Sequence, residues 1–423
     1  MKIISSSLLL FIVINIIFVN LGQCQQPIEY SSCQLQSVGS NNINGYVLIS
    51  NYSGASSEKY TVQVVASGFQ NVSSTVYATV RQYGNLLNTN NPVFGYNPND
   101  EYNCTVPGCL GSTTFTTTSM NWTQTFTTPM FNLSPGLKSV VGRIFSLSTS
   151  PFDSNYIIAQ CVLGIGNPQF IPSTSPMASL NESTNYAAIS EIPNNGIQNG
   201  AVCYLQPTAA YPLVNGTVLI TEIKNIIIGS NQPMGLNIIA MVNGTDGQIG
   251  ISINQFGDSL TADGSSTGGV WGLSNQTHGL PTNNTRLYGD LGNICVYYND
   301  VAYYNWTTPY IGYFDSIPNL LGRSIVIRSK PYTTSPTYDG SIMATCVIGL
   351  RENGNIPATK FNPNTNNAAP TCFPDPTTST TTGPNTTTST TGSGSDSGSF
   401  SSITTPFMKL TILLISVLSF ILL

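Results

Sequence analysis

Val202-Cys203-Tyr204-Leu205-Gln206, followed by Val214-Asn215-Gly216-Thr217-Val218-Leu219-Ile220-Thr221, repeats a pattern already present as Ser32-Cys33-Gln34-Leu35-Gln36 and Ile43-Asn44-Gly45-Tyr46-Val47-Leu48-Ile49-Ser50. The correspondence continues downstream. Val80-Arg81-Gln82-Tyr83-Gly84-Asn85 matches Ile253-Asn254-Gln255-Phe256-Gly257-Asp258, and Val141-Gly142-Arg143-Ile144-Phe145-Ser146 matches Leu321-Gly322-Arg323-Ser324-Ile325-Val326. Each copy closes alike, with Ala159-Gln160-Cys161-Val162-Leu163-Gly164 against Ala344-Thr345-Cys346-Val347-Ile348-Gly349. Four matches in one order at similar spacing mean a tandem duplication, with units at 30–168 and 200–354.

Within each unit the apolar runs are short, rich in Val, Ile, Thr and Tyr, and broken by Gly, Asn and Pro roughly every ten residues. That pattern predicts an all-β architecture of two tandem Greek-key barrels, each large enough for its own core. Residues 169–199, with Pro172, Pro176 and Pro193, read as a linker. Residues 373–405 are Ser, Thr, Gly and Pro with almost no large apolar side chain, and read as a disordered stalk.

The ends read as processing signals. Residues 1–24 combine Lys2, a long apolar run and small residues before Gln25, the pattern of a cleaved secretory signal. Residues 406–423 form an apolar tail preceded by Ser395, Asp396 and Ser397, the candidate attachment residues of a GPI anchor. A single transmembrane helix is the alternative, but the run lies at the short limit for crossing a bilayer. Sequons at Asn51, Asn71, Asn103, Asn121, Asn132, Asn181, Asn215, Asn243, Asn275, Asn283, Asn305 and Asn385 fit a glycoprotein on the outer face of the cell membrane. Charged residues make up only 7% of the chain and the net charge is −5, so hydroxyls, amides and glycans must supply solubility, and nucleic acid is excluded as a partner. Of nine cysteines, Cys24 leaves with the signal, and the remaining even number in an oxidising compartment implies disulfides whose pairing sequence alone leaves open.

The sole histidine, His278, lies in His278-Gly279-Leu280-Pro281-Thr282-Asn283-Asn284-Thr285-Arg286-Leu287-Tyr288-Gly289-Asp290-Leu291-Gly292-Asn293-Ile294. That stretch resembles the zinc-binding loop of Cu/Zn superoxide dismutases. Ala201-Val202-Cys203-Tyr204-Leu205, Phe256-Gly257-Asp258, Gly322 to Ile327 and Ala344 to Gly349 resemble other strands of the same family. The resemblance spans nearly all of the second unit, while the first is more diverged and is tied to the family through the repeat. It implies a dismutase-like barrel, and it allows the two units to pack on one another as dismutase subunits do.

The family's copper and zinc ligands are largely missing at the matched positions. The copper histidines fall on Ser252, Asn254 and Arg328, and the bridging histidine on Val270. Of the zinc positions, His278 and Asp290 match and the third histidine is Leu287, so these two are residual zinc-type residues that do not make a closed tetrahedral site. In the first unit the matched residues are Thr79, Arg81 and Ser148, with Cys109 in the aspartate position. No cofactor is therefore expected. Arg328 suggests an anion pocket, against the preferred reading that it reaches solvent. For Asp290, acceptance of amides from its flanking glycines is expected to hold the loop.

In the family fold the first and last strands are neighbours, which with the repeat implies the pairs Cys33–Cys161 and Cys203–Cys346. Cys104 and Cys109 are close enough in sequence to pair, leaving Cys295 with Cys372. No other catalytic arrangement is visible: there is no histidine to serve a nucleophilic serine, carboxylates are sparse, and no phosphate-cradling glycine loop is present. Two functions follow. The preferred one is a non-catalytic, GPI-anchored surface glycoprotein acting in recognition of a surface protein or glycan, or in superoxide-linked signalling. The alternative, implied by the resemblance, is an extracellular superoxide dismutase with an atypical metal site.

Overall fold

The computed structural model describes residues 30–171 and 200–352 apart from several loop stretches, the longest being 95–107 and 309–319. The segments expected to be a signal, a stalk and a GPI tail, and most of the expected linker, lie outside the described residues, as do Cys104, Cys372, Asn71, Asn103, Asn132, Asn181, Asn275, Asn385, Ser395, Asp396 and Ser397.

The first unit contains β1 (Tyr30–Ser37), β2 (Asn44–Asn51), β3 (Tyr60–Ser67), β4 (Thr75–Val80), β5 (Cys109–Thr114), β6 (Ser119–Phe126), β7 (Ile144–Ser148), β8 (Ile157–Val162) and β9 (Gly164–Ile165). The second contains β10 (Gly200–Pro207), β11 (Asn215–Lys224), β12 (Pro233–Asn243), β13 (Gln248–Asn254), β14 (Asp290–Tyr297), β15 (Val301–Thr308), β16 (Ser324–Arg328), β17 (Ile342–Val347) and β18 (Gly349–Leu350). The connectivity is that of two tandem β-barrels. In the second, antiparallel pairing runs β11-β12-β15-β14-β13-β16-β17-β10 and returns from β10 to β11, closing the ring. The first follows the order β5-β4-β7-β8-β1-β2-β3-β6 and ends on two edges, so its ring is open between β5 and β6 among the described residues.

Period-2 alternation decides which side chains fill the cores. Leu236, Ile238, Ala240 and Val242 of β12 and Ile249, Ile251 and Ile253 of β13 are fully buried in the second core. Val62 and Val64 of β3, with Val76, Ala78 and Val80 of β4, do the same in the first. Disulfides close Cys33 to Cys161 and Cys203 to Cys346, tying the first long strand of each unit to β8 or β17. Cys109 is also disulfide-bonded.

The units meet through a pseudo-two-fold set of backbone hydrogen bonds. Ile165 N–H donates to the Gly322 carbonyl at 2.6 Å, and its repeat counterpart Leu350 N–H donates to Gly142 at 2.7 Å. Gly257 N–H donates to Ile165 at 3.0 Å, mirrored by Gly84 N–H to Leu350 at 2.6 Å. The aromatic residues beside these glycines are exchanged: Tyr83 of the first unit belongs to the second core, and Phe256 of the second packs against the first. Backbones can approach this closely only where no Cβ intervenes, since a Cβ on Gly164 would lie 2.0 Å from the Gly257 oxygen.

Candidate functional site

The outward face of each barrel follows from its inward one. Because Ile249, Ile251 and Ile253 point into the core, Ser252 and Asn254 of β13 point out, and because Ile325 and Ile327 point in, Arg328 of β16 points out. The same logic places Thr79 on the outer face of β4, with Arg81 just beyond that strand, and Ser146 and Ser148 on the outer face of β7. Strand register confirms the equivalence of the faces: Ser252 lies opposite Asp290, as Thr79 lies opposite Cys109. Likewise Gly250 lies opposite Arg328, as Tyr77 lies opposite Ser148.

In the second barrel the residues at the copper positions satisfy one another. Ser252 Oγ donates to Asn254 Oδ1 at 2.9 Å, and Asn254 Nδ2 donates to Gly268 O at 2.7 Å and Thr267 Oγ1 at 3.2 Å. Both residues are fully buried. Val270, at the bridging position, is buried and forms an isolated bridge with Asn254. Arg328 Nη1 donates to the Gly340 carbonyl at 3.0 Å, so this half-buried guanidinium is held by backbone rather than left to solvent. A hydroxyl, an amide, an isopropyl group and a permanent cation do not form a copper site, and the Ser252 and Asn254 side chains are already committed.

The zinc-type residues form a separate cluster. Asp290 is fully buried; its Oδ1 lies 3.1 Å from His278 Nδ1 and accepts from Tyr332 Oη at 3.1 Å. Tyr332 Oη is also 3.0 Å from His278 Nδ1, so one phenol bridges the two matched residues. Asp290 Oδ2 accepts from the amides of Gly279 and Leu287, both at 3.0 Å. Asp290 therefore does pin the loop, through Gly279 and Leu287 rather than through its flanking glycines. The difference arises because the loop folds back over β14, as Arg286 shows by donating to the Asp290 carbonyl and to Thr308 Oγ1. Burial pushes the Asp290 carboxyl above its ordinary range against the pull of the Gly279 amide and His278, and burial with the neighbouring carboxylate pushes the Tyr332 phenol far up. Two ligands and a protonated phenol do not close a tetrahedral zinc site. Among the described residues no group of three or more His, Cys, Asp or Glu side chains gathers for a metal.

The first barrel's matched residues differ in kind. Thr79 Oγ1 and Ser146 Oγ lie 2.7 Å apart, and Arg81 Nε donates to Ser146 Oγ at 3.0 Å. Cys109 is buried and disulfide-bonded, so it is not free as a ligand. Sequence reasoning named Thr79, Arg81 and Ser148 but missed Ser146, Thr267 and Tyr332. Ser146 was findable, as the residue two before Ser148 on one strand face; Tyr332 carries no spacing signal. Of the sequons, Asn215, Asn283 and Asn305 are exposed and Asn243 is partly so.

Residues 214–348 match the copper/zinc superoxide dismutase family model. The chain is 28% identical to extracellular superoxide dismutase [Cu-Zn] 2 of Dictyostelium discoideum, over 76% of this chain and 78% of that one. It is 25% identical to extracellular superoxide dismutase [Cu-Zn] 3 of the same organism over 54% and 55% of the two chains. With an extracellular superoxide dismutase [Cu-Zn] of Brugia pahangi it shares 32% identity over 27% of this chain and 53% of the other. A crystal structure of the clock protein EA4 aligns over 37% of this chain and 99% of its own, at 21% identity and a TM-score of 0.32, too low to carry an argument.

Proposed function

We propose, from the match of residues 214–348 to the copper/zinc superoxide dismutase family model, that this chain is a non-catalytic relative of that family: an extracellular, GPI-anchored glycoprotein whose tandem barrels serve surface recognition or superoxide-linked signalling. The observation that carries the proposal is the hydrogen-bonded chain Ser252–Asn254–Thr267 at the copper positions. Dismutation needs a metal that cycles between two oxidation states, and imidazole ligands suit it. Here the matched side chains are neutral hydrogen-bonding groups, an aliphatic residue and the Arg328 cation. The extracellular location is supported by the relatives, each of which is named an extracellular dismutase. Those names also favour the second reading, an extracellular dismutase with an atypical site.

Metal analysis of the purified protein beside a dismutase assay separates the two. The expected result is a folded, copper-free protein without dismutase activity even after incubation with copper and zinc. Stoichiometric, tightly held copper accompanied by activity would overturn the proposal.

A further inference from the structure

The two vacated copper faces do not balance their polar groups equally. In the second barrel Ser252 and Asn254 bond each other, with Thr267 and Gly268 as further partners of Asn254, and His278, Asp290 and Tyr332 meet one another beside the Gly279 and Leu287 amides. In the first, Arg81 is fully buried, its Nε is committed to Ser146, and its Nη1 and Nη2 atoms have no hydrogen-bond partner. Ser148, two residues along the same face of β7, is also fully buried with its hydroxyl unpartnered.

A buried guanidinium with both amino groups unsatisfied is among the costlier arrangements a fold can contain, because those donors give up water without gaining a partner. Burial lowers the Arg81 pKa only to about 10, so the group stays charged at neutral pH. Asp153 opposes the effect of burial through its charge, and its Oδ1 accepts from the Asn155 amide. The face thus offers a permanent cation, two free N–H-bearing nitrogens and a hydroxyl donor, and no acceptor among the described residues to meet them. Such a set matches an anion, and the complete burial of Arg81, Thr79, Ser146 and Ser148 limits it to a small one.

We propose that the copper position of the first barrel has become an anion site, in which Arg81 Nη1 and Nη2 hold a small monovalent anion of halide size, with the Ser148 hydroxyl as the next donor on that face. The polarity of the ancestral site is thereby inverted: a side chain supplies the positive charge and the solvent supplies the ligand. The inference does not depend on whether the second barrel binds copper.

The test compares thermal unfolding of the purified protein in sodium chloride, sodium bromide, sodium bicarbonate and sodium gluconate at equal ionic strength. Chloride and bromide should raise Tm over gluconate by at least about 2 °C, saturably with concentration. Arg81→Met should lose that dependence while Arg328→Met keeps it, and Ser148→Ala should move the halide midpoint to several-fold higher concentration. A crystal grown in bromide should show an anomalous peak beside the Arg81 guanidinium, which keeps the test valid even if Arg81→Met does not fold. Equal Tm in chloride and gluconate, a halide response that persists in Arg81→Met, a response to bicarbonate alone, or no bromide peak at Arg81 would each overturn the proposal.

Discussion

Thr79 with Arg81 in the first barrel and Ser252 with Asn254 in the second occupy the same register, opposite Cys109 and Asp290 respectively, yet they arrange their hydrogen bonds differently. The second barrel places there a short amide and a hydroxyl that hydrogen-bond each other. The first places there a long cation that reaches Ser146 and leaves two nitrogens over. Guanidinium also appears in the second barrel, but at the opposite end of the face, where Arg328 finds the Gly340 carbonyl. A β-barrel framework therefore fixes where side chains converge without fixing their charge, and equivalent strands carry a neutral network in one barrel and a cationic one in the other.

The sharpest way to break the likeness is to remove each disulfide in turn. Each bridges strands far apart in sequence, 128 residues for Cys33–Cys161 and 143 for Cys203–Cys346. Loss of either should cost about 2–5 kcal/mol. The open ring of the first barrel has fewer strand pairings to fall back on, so Cys33→Ser with Cys161→Ser should lower Tm more than Cys203→Ser with Cys346→Ser. Calorimetry of both double variants decides it; equal losses would show that ring closure adds nothing.

Next in size is the interface that makes the two barrels comparable at all. Gly164→Ala drives a Cβ to 2.0 Å from the Gly257 oxygen, and neither backbone can yield without breaking the hydrogen bonds of Ile165. Overpacking of this kind costs about 1–3 kcal/mol. The expected outcome is a single unfolding transition that separates into two, one per barrel. One unbroken transition in the variant would mean that the barrels are coupled elsewhere.

How much of this was legible in the sequence differs between the framework and the site. The repeat gave the two barrels and the matching registers of their strands, because Cys, Gly and alternating apolar residues are constrained by strand geometry wherever they occur. It could not show that the first ring is open between β5 and β6 among the described residues, since alternation is the same whether or not two strands pair. Nor could it show what the face residues do. That Ser252 meets Asn254 follows from i, i+2 spacing, but the reach of Tyr332 to both His278 and Asp290 depends on a loop closing over β14, and burial of Arg81 depends on packing from outside its strand. Ligand loss is a local property and can be read in one dimension; hydrogen-bond satisfaction is not.

Asp290 offers a smaller and pH-dependent contrast with Cys109, its counterpart. Asp290→Asn replaces an acceptor of two amides and a phenol by a group with one acceptor, at a cost of about 1–3 kcal/mol. Burial raises the Asp290 pKa, so the folded chain holds a proton that the unfolded chain releases earlier. Its contribution is full below the ordinary carboxylate range and is lost as pH rises through the raised folded value. The Tm deficit of Asp290→Asn relative to the parent should therefore be largest in acid and shrink as pH increases through that window. A deficit that grows with pH would mean that the amide donors outweigh burial.

The smallest expected effect sharpens the comparison most directly. Ser252→Ala removes one donor from Asn254 Oδ1 while Asn254 Nδ2 keeps Thr267 and Gly268, so the loss should be about 1 kcal/mol. Ser146→Ala takes the only hydrogen-bond acceptor from the Arg81 side chain and a partner from Thr79, leaving a buried cation with none of its three nitrogens met. If the first face is unbalanced within the polypeptide, Ser146→Ala must cost more than Ser252→Ala in gluconate, and the gap must narrow in chloride, where an ion can take up the exposed donors. Denaturant unfolding of the two variants in both salts measures that gap. A gap of the same size in both would leave the two faces equal in their demand for a partner, and the contrast between them would reduce to one hydrogen bond.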